Sequence, residues 1–429
     1  PAARRGYAER FRAWREAHAG TGEDGRGFGA QVDLAALFLE RAVQLARPGA
    51  GTVSFLVPSK LWSARSGGGI RAVLRDSCRL ATVEDWAGGP EGFEAVTYPS
   101  LIVATRCGPN VVTPPVATVR GAAQRGDVLV TWGTELHALG LDAAPGAPWI
   151  LAPPPVREAF DLLCARGTPL SMAGIGRVTL GVKTGCNAAF VVDANDDDDS
   201  TTLDVRSGTH DGRVDRALLR PVLRGEDVAR WGTAPTERRL VYPHDGDGAP
   251  ITALPAATAR WLAPWRPALE RRTDARHARR WWSVFRVEAA RHDVARVVWS
   301  DIAKAPRATV LAPGDRTVPL NSCYTLLAAS IPDALAFAAL LNAAPVGAWL
   351  ATIAEPARGG YRRYLAWTIA RLPVPADWPR ARAILAPIAE AAMAGSPPDA
   401  RTLALAAADA YRVRLSRLAP LMDWCDHST

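Results

Sequence analysis

Residues 33–60 read DLAALFLERAVQLARPGAGTVSFLVPSK, and the fold turns on them. Asp33 opens a helical pattern in which Leu34, Leu37, Phe38, Ala42 and Leu45 fall on one face. Pro48-Gly49 stops it, and residues 52–57 follow as a short apolar run of the buried-strand type. A glycine run at 67–69 and a short helix lead to two further strand-like segments, around 83–87 and 100–105. Helix, strand, helix and a closing hairpin predict an α/β layer with a parallel sheet and an antiparallel edge.

Outward from there, strand-like segments recur at 116–119 and 128–132, and a Pro/Gly/Ala-rich stretch ends at Val156. These features predict a first domain over 1–145, a linker over 146–156, a mixed helix-and-strand domain over 157–375 and a helical tail over 376–429. Tyr7, Phe11 and Trp14 share a helical face, the pattern of a packing helix and not of a targeting segment. The Ala/Leu-rich run 334–351 is interrupted by Asn342 and Pro345, so a buried helix and a turn are expected there and no membrane partner. Six scattered cysteines with no CxxC pair fit free thiols in a reducing cytoplasm, with no metal site expected. Asp196–Asp199 and the run His244–Gly248 read as solvated turns.

The net charge of +8 is unevenly placed. Residues 251–310 hold twelve Arg/Lys against five Asp/Glu, nearly the whole surplus, together with five of the fifteen tryptophans. Cations interleaved with aromatics are the footprint of a polyanion-binding surface; the competing reading is a solvated, arginine-rich helix. Of 51 basic residues only Lys60, Lys183 and Lys304 are lysines. A composition drifted this far to arginine suggests that the retained lysines occupy places where a compact charge fits and a planar fork does not.

In order and wording, residues 33–104 resemble the TaqI-like adenine-N6 DNA methyltransferases, including the type IIG and other fused restriction-modification and phage-defence enzymes. The likeness continues through GIGRVTLGVKTGCNAAFVVD (174–193), which resembles the start of that family's DNA-specificity domain. It runs on through Leu223–Val228, Tyr242-Pro243, Arg279–Trp282, Leu340–Asn342 and Leu372–Pro375, in the family's order. The resemblance implies the C-terminal half of a Rossmann-like methyltransferase domain, then an α+β DNA target-recognition domain. It implies S-adenosylmethionine as methyl donor, double-stranded DNA as partner, and a nuclease domain or subunit in the parent system.

An exocyclic adenine amine is a poor nucleophile because its lone pair is delocalised into the ring. The family aims it at the sulfonium methyl with an Asn/Asp-Pro-Pro-aromatic loop, by positioning and electrostatics alone. That tetrapeptide and the glycine-rich cofactor loop do not occur in the 429 residues, so both are expected upstream of Pro1 and no catalytic residue is assigned. By resemblance, Phe93 in GFEAVTY is the aromatic that stacks on the extruded base. Phe38 matches the aromatic lining the cofactor's adenine pocket, with a core role equally open, and Asp33 is an N-cap or a cofactor-side residue. The DNA-contact set is Lys60, Lys183, Thr184, Gly185, Arg271, Arg272, Arg279, Arg280, Trp281 and Lys304. Gly181–Gly185 lacks the GxxxxGK[ST] spacing, so nucleotide hydrolysis is not implied. The alternatives are a non-catalytic DNA-specificity module serving a separate catalytic chain, and a small-molecule methyltransferase with an accessory domain.

Overall fold

The stretch at 33–60 folds into a helix, Leu34–Leu45, and a strand, β1, at Thr52–Pro58. The structure is a computed structural model describing residues 2–18, 32–86, 98–109, 117–125, 127–194, 200–272, 274, 280–357 and 359–426. It is a mixed α/β molecule in two units. The first comprises Pro1–Leu163, Ala348–Arg363 and Ser416–Thr429; the second comprises Cys164–Gly347 and Tyr364–Leu415.

In the first unit β1 is joined by β2 (Cys78–Asp85), β3 (Pro99–Arg106), β4 (Thr118–Arg125) and β5 (Val128–Glu135), in the order β1-β3-β2-β4-β5. The expected antiparallel edge is not where the hairpin strand goes. β3 turns back from β2 and slots between β2 and β1, so it opposes both, while β4 runs parallel to β2 and β5 antiparallel to β4. Side chains alternating across β2, such as Leu80 and Val83 around its bulge, are buried in this unit's core with Ile102, Ala104 and Val119.

Two expectations here are corrected. The helix Leu34–Leu45 buries Ala36, Leu37, Leu39, Glu40 and Val43, and leaves Leu34, Phe38 and Leu45 at 55%, 66% and 69% exposure. Glu40 sets that rotation: its carboxylate accepts the Arg12 and Ala13 N–H groups at 2.7 and 2.8 Å, at the start of the helix Arg12–His18. The stretch 146–156, expected as a linker, is packed into the unit. Arg71, fully buried, donates to the Leu61, Ala64 and Gly146 carbonyls, and Trp149 stacks on Trp62 at 4.9 Å.

The second unit carries two larger sheets. One has six strands, in the order His210–Asp215, Thr202–Ser207, Val191–Ala194, Arg238–Val241, Leu219–Leu223, Val318–Pro319. The other has four, in the order Ala308–Leu311, Arg296–Ser300, Cys323–Ala328, Gly176–Leu180. The expected tail does not stand apart. Trp378–Met393 packs on the buried helix Ile331–Asn342, where Asp333 accepts from Trp378 Nε1 at 2.8 Å and from Arg382 at 3.1 Å. The last helix, Ala419–Asp426, belongs to the first unit, with Trp424 edge-on to Trp132 at 5.9 Å. No single described helix is long and apolar enough to cross a membrane.

Candidate nucleic-acid interface

The loop Gly181–Gly185 leaves the four-stranded sheet after Gly176–Leu180 and enters the short helix Asn187–Phe190 that feeds the six-stranded one. Its path is fixed at each residue. A Cβ on Gly181 would sit 1.9 Å from the Leu320 carbonyl oxygen, so only glycine allows the Gly181 N–H to reach Cys323 O at 2.9 Å. Val182 N–H donates to Pro319 O at 2.8 Å, and Lys183 and Phe285 exchange both backbone hydrogen bonds, at 2.8 and 2.9 Å. Gly185 has φ +66.

Arg272 holds the loop from beneath. It is 9% exposed and gives its N–H groups to the carbonyls of Thr184, Leu269 and Trp281. Its guanidinium lies over the Phe285 and Phe190 rings at 5.0 and 5.6 Å. Burial pushes its pKa down, yet an arginine stays charged there. One side chain thus ties the 181–185 loop to the backbone of the tryptophan pair. Thr184 is 2% exposed, its hydroxyl spent on Asn187 Oδ1 at 2.6 Å. Of the expected DNA-contact set, Arg272 and Thr184 are thus buried, with side chains committed to holding the loop's shape.

Lys183 is the cation the loop presents. Its side chain is 47% exposed and pairs with Asp274 at 2.6 Å, and that hydrogen bond holds the Asp274 carboxyl below its ordinary range. Arg271 and Arg280 are exposed, with Arg280 5.7 Å over the Trp282 ring and Arg266 5.4 Å over that of Trp281. The two indoles meet edge-on at 5.3 Å and pack partly into the unit's core, which makes them rigid supports for the cations. Arg286 was not singled out from the sequence. It is exposed, takes a left-handed φ of +58, and its charge reaches Asp274. That left-handed backbone, unfavourable for a non-glycine residue, is not legible in the sequence. Lys304 is exposed, and among the described residues it has no ion partner. Arg279 lies outside the described residues, as do Phe93 and Asp196–Asp199.

Beside the loop is a cavity of about 460 Å³, lined in part by His244, Asp247, Asp274, Ser283, Phe285 and Val287. His244 cannot serve it as an acid or base. Its Nδ1 donates to Gly248 O at 2.9 Å and its Nε2 accepts the Val284 N–H at 3.0 Å, which fixes one neutral tautomer. Burial lowers its pKa. The run 244–248 is a turn, as expected, with Asp245 accepting the Asp247 and Ala249 N–H groups. No metal-binding cluster occurs among the described residues.

In the first unit Asp33 is the N-cap of Leu34–Leu45, accepting the Ala35 N–H at 2.9 Å, and it pairs with Lys60 at 2.6 Å. Phe38 stands on the open face of that helix. A committed carboxylate and an exposed ring do not by themselves make a cofactor pocket.

No protein family and no curated protein matches the chain. Among solved structures it is similar to the type IIL restriction-modification enzyme MmeI in complex with DNA, with a TM-score of 0.56 and 11% identity. That likeness covers 93% of this chain and 53% of the other. The type IIG restriction endonuclease BpuSI gives a TM-score of 0.40 at 13% identity, over 100% of this chain and 51% of that one, too loose to carry an argument. The chain thus spans about half the length of the solved chains it matches, and what it shares with MmeI is fold.

Proposed function

We propose that the chain is the DNA-recognition part, with the adjoining portion of the catalytic fold, of an adenine-N6 DNA methyltransferase from a restriction-modification or phage-defence system. The observation that carries this reading is the surface that the described residues of 266–272 and 280–286 form in the second unit. There, exposed arginines rest on Trp281 and Trp282, and buried Arg272 couples that segment to the loop presenting Lys183. Fixed cations on rigid aromatic supports suit a regularly charged polyanion, and phosphate contacts of this kind set register on a duplex. The likeness in fold to a restriction-modification enzyme solved with DNA supports the same assignment.

On this reading the methyl donor is S-adenosylmethionine and the target an adenine turned out of the stack against Phe93. The amine-polarising tetrapeptide and the cofactor loop come from outside these 429 residues. The test is fluorescence anisotropy with a mixed-sequence duplex across a salt series, beside tritiated-methyl transfer to the same DNA. Binding that weakens steeply with salt, without methyl transfer by this chain alone, is the expected pair of results. Salt-independent binding, or none, would remove the DNA-recognition role; turnover by this chain would overturn the assignment of the missing chemistry.

A further inference from the structure

Two arginines of the second unit are buried with no carboxylate ion pair among the described residues. Arg220, on the strand Leu219–Leu223, is 5% exposed, and Arg296, which begins Arg296–Ser300, is 0% exposed. Arg220 donates to the carbonyls of Arg316 at 2.8 Å and Ala290 at 2.7 Å. Arg296 donates to those of Ala289 at 3.1 Å, Thr317 at 2.8 Å and Asp315 at 2.5 Å, and its Nε meets no acceptor. Carbonyls satisfy hydrogen bonds but carry no net charge. Two guanidinium charges are thus held out of water with only the more distant charges of Asp315 and, for Arg296, Asp293 to offset them, an arrangement that an arriving anion would relieve.

The same two segments bring more positive charge to the surface above. Gly314 N–H donates to His292 O at 2.7 Å, which joins the turn at 289–292 to the loop at 312–317. Arg291 and Arg316 are exposed and His292 is half-buried. Two carboxylates come near: Asp293 pairs with Arg291, and Asp315 accepts the Thr317 N–H at 2.8 Å while its charge acts on Arg220 and Arg296. Four arginines therefore face two carboxylates. Arg316 spends only one long bond, 3.3 Å to Ala217 O, so its fork is open to an oxyanion. Burial, with the charges of Arg220, Arg296 and Arg316, holds His292 below its ordinary 6.5, against the opposing pull of Asp293.

We infer that Arg220, His292, Arg296 and Arg316 form a phosphate-oxyanion site, separate from the 181–185 loop and from the arginine–tryptophan segment. The two buried arginines supply fixed charge from below; Arg316 and His292 close on the anion from the surface. The oxyanion is a phosphodiester of duplex DNA or a free phosphate. Only the first source rests on the function proposed above.

The experiment follows the His292 imidazole by NMR during pH titrations, alone, with inorganic phosphate, and with a short mixed-sequence duplex. It is run in the wild-type chain and in Arg316→Gln, whose exposed side chain can change without disturbing the clamp. An anion beside His292 favours the imidazolium, so its pKa should rise with phosphate and with duplex. Arg316→Gln should weaken phosphate binding several-fold and make the duplex salt slope shallower by about 0.9, one phosphate contact. A response to phosphate but not to duplex keeps the site, assigns it to free phosphate and removes it from the DNA surface. Phosphate binding in a chain that binds no duplex defeats the proposed function and leaves the site standing. Duplex binding with His292 unmoved by either ligand overturns this inference and leaves the function intact.

Discussion

Lys60 of the first unit and Lys183 of the second are alike in their immediate surroundings. Each follows a strand, each is about half exposed (54% and 47%), and each pairs with an aspartate at 2.6 Å. Their aspartates differ. Asp33 is fixed by its further task, capping Leu34–Leu45, and bonds from Lys60 and the Ala35 N–H hold it ionised against the penalty of partial burial. Asp274 is held down chiefly by Lys183 itself. An ion pair anchored to a helix terminus is structural. An aspartate held by its lysine and by nearby charges alone has no such structural task, so under the proposed function its lysine is the one that can exchange the pair for a phosphate.

The sharpest way to break the comparison is to remove what stiffens the 181–185 loop. Arg272→Ala would take the donor from the Thr184 and Trp281 carbonyls and leave a cavity against two phenylalanines. It should cost about 3 kcal/mol or more of unfolding free energy in the second unit and take DNA binding with it. Denaturant melts monitored by tryptophan, beside duplex anisotropy, would show this. Unchanged stability would mean that the loop keeps its shape without the brace.

A smaller effect separates the two lysines. Lys183→Ala should make the salt dependence of duplex binding shallower by about 0.9, while Lys60→Ala should leave the slope where it was. Equal slopes in the two variants would erase the distinction. Smaller again, Asp274→Asn frees Lys183 from a competing pair worth about 0.2–1 kcal/mol and should tighten duplex binding by at most about fivefold. The matching change in the first unit, Asp33→Ala, should leave DNA binding alone and cost about 1 kcal/mol of stability through the lost cap. A gain in affinity from Asp33→Ala would show that Lys60 also waits for a phosphate.

The sequence announced these elements unevenly, for reasons that lie in how far apart the determining partners are. Local signals were legible: a strand at 52–57, the Pro48-Gly49 stop and the Asp33 cap all appear where expected, although that strand buries only Val53 and Val57 fully and leaves Leu56 exposed. The outward side of the Leu34–Leu45 helix was not, because apolar residues occur almost all round it. The orienting contact is a glutamate reaching back 28 residues to backbone N–H groups. The stretch 146–156 had a linker's composition, and its burial depends on Arg71, 75 residues earlier. At the candidate interface, sequence found the basic, tryptophan-rich segment but could not sort exposed Arg280 from buried Arg272. A guanidinium open to solvent and one aimed at carbonyls are the same letter.

The least expected effect is a pH response confined to the second unit. His244 is held neutral, and protonating it would turn Nε2 from an acceptor into a donor facing the Val284 N–H. Burial has lowered its folded pKa below the ordinary 6.5, and His292 is lowered too. Below 6.5 the unfolded chain therefore binds protons that the folded unit refuses. Stability is full above 6.5 and is lost as pH falls through the lowered folded values. Asp33 and Asp274, both lowered from 3.8, do not titrate in that window and leave the two lysine pairs intact. Hydrogen exchange at pH 7.5 and 5.5, corrected for intrinsic rates, should show loosening around 244–248 and 284–292 while β1–β3 of the first unit hold. Replacing both histidines with asparagine should flatten the response. A variant as acid-sensitive as the wild type would move the origin of the effect elsewhere, and an acid response equal in the two units would dissolve the contrast between them.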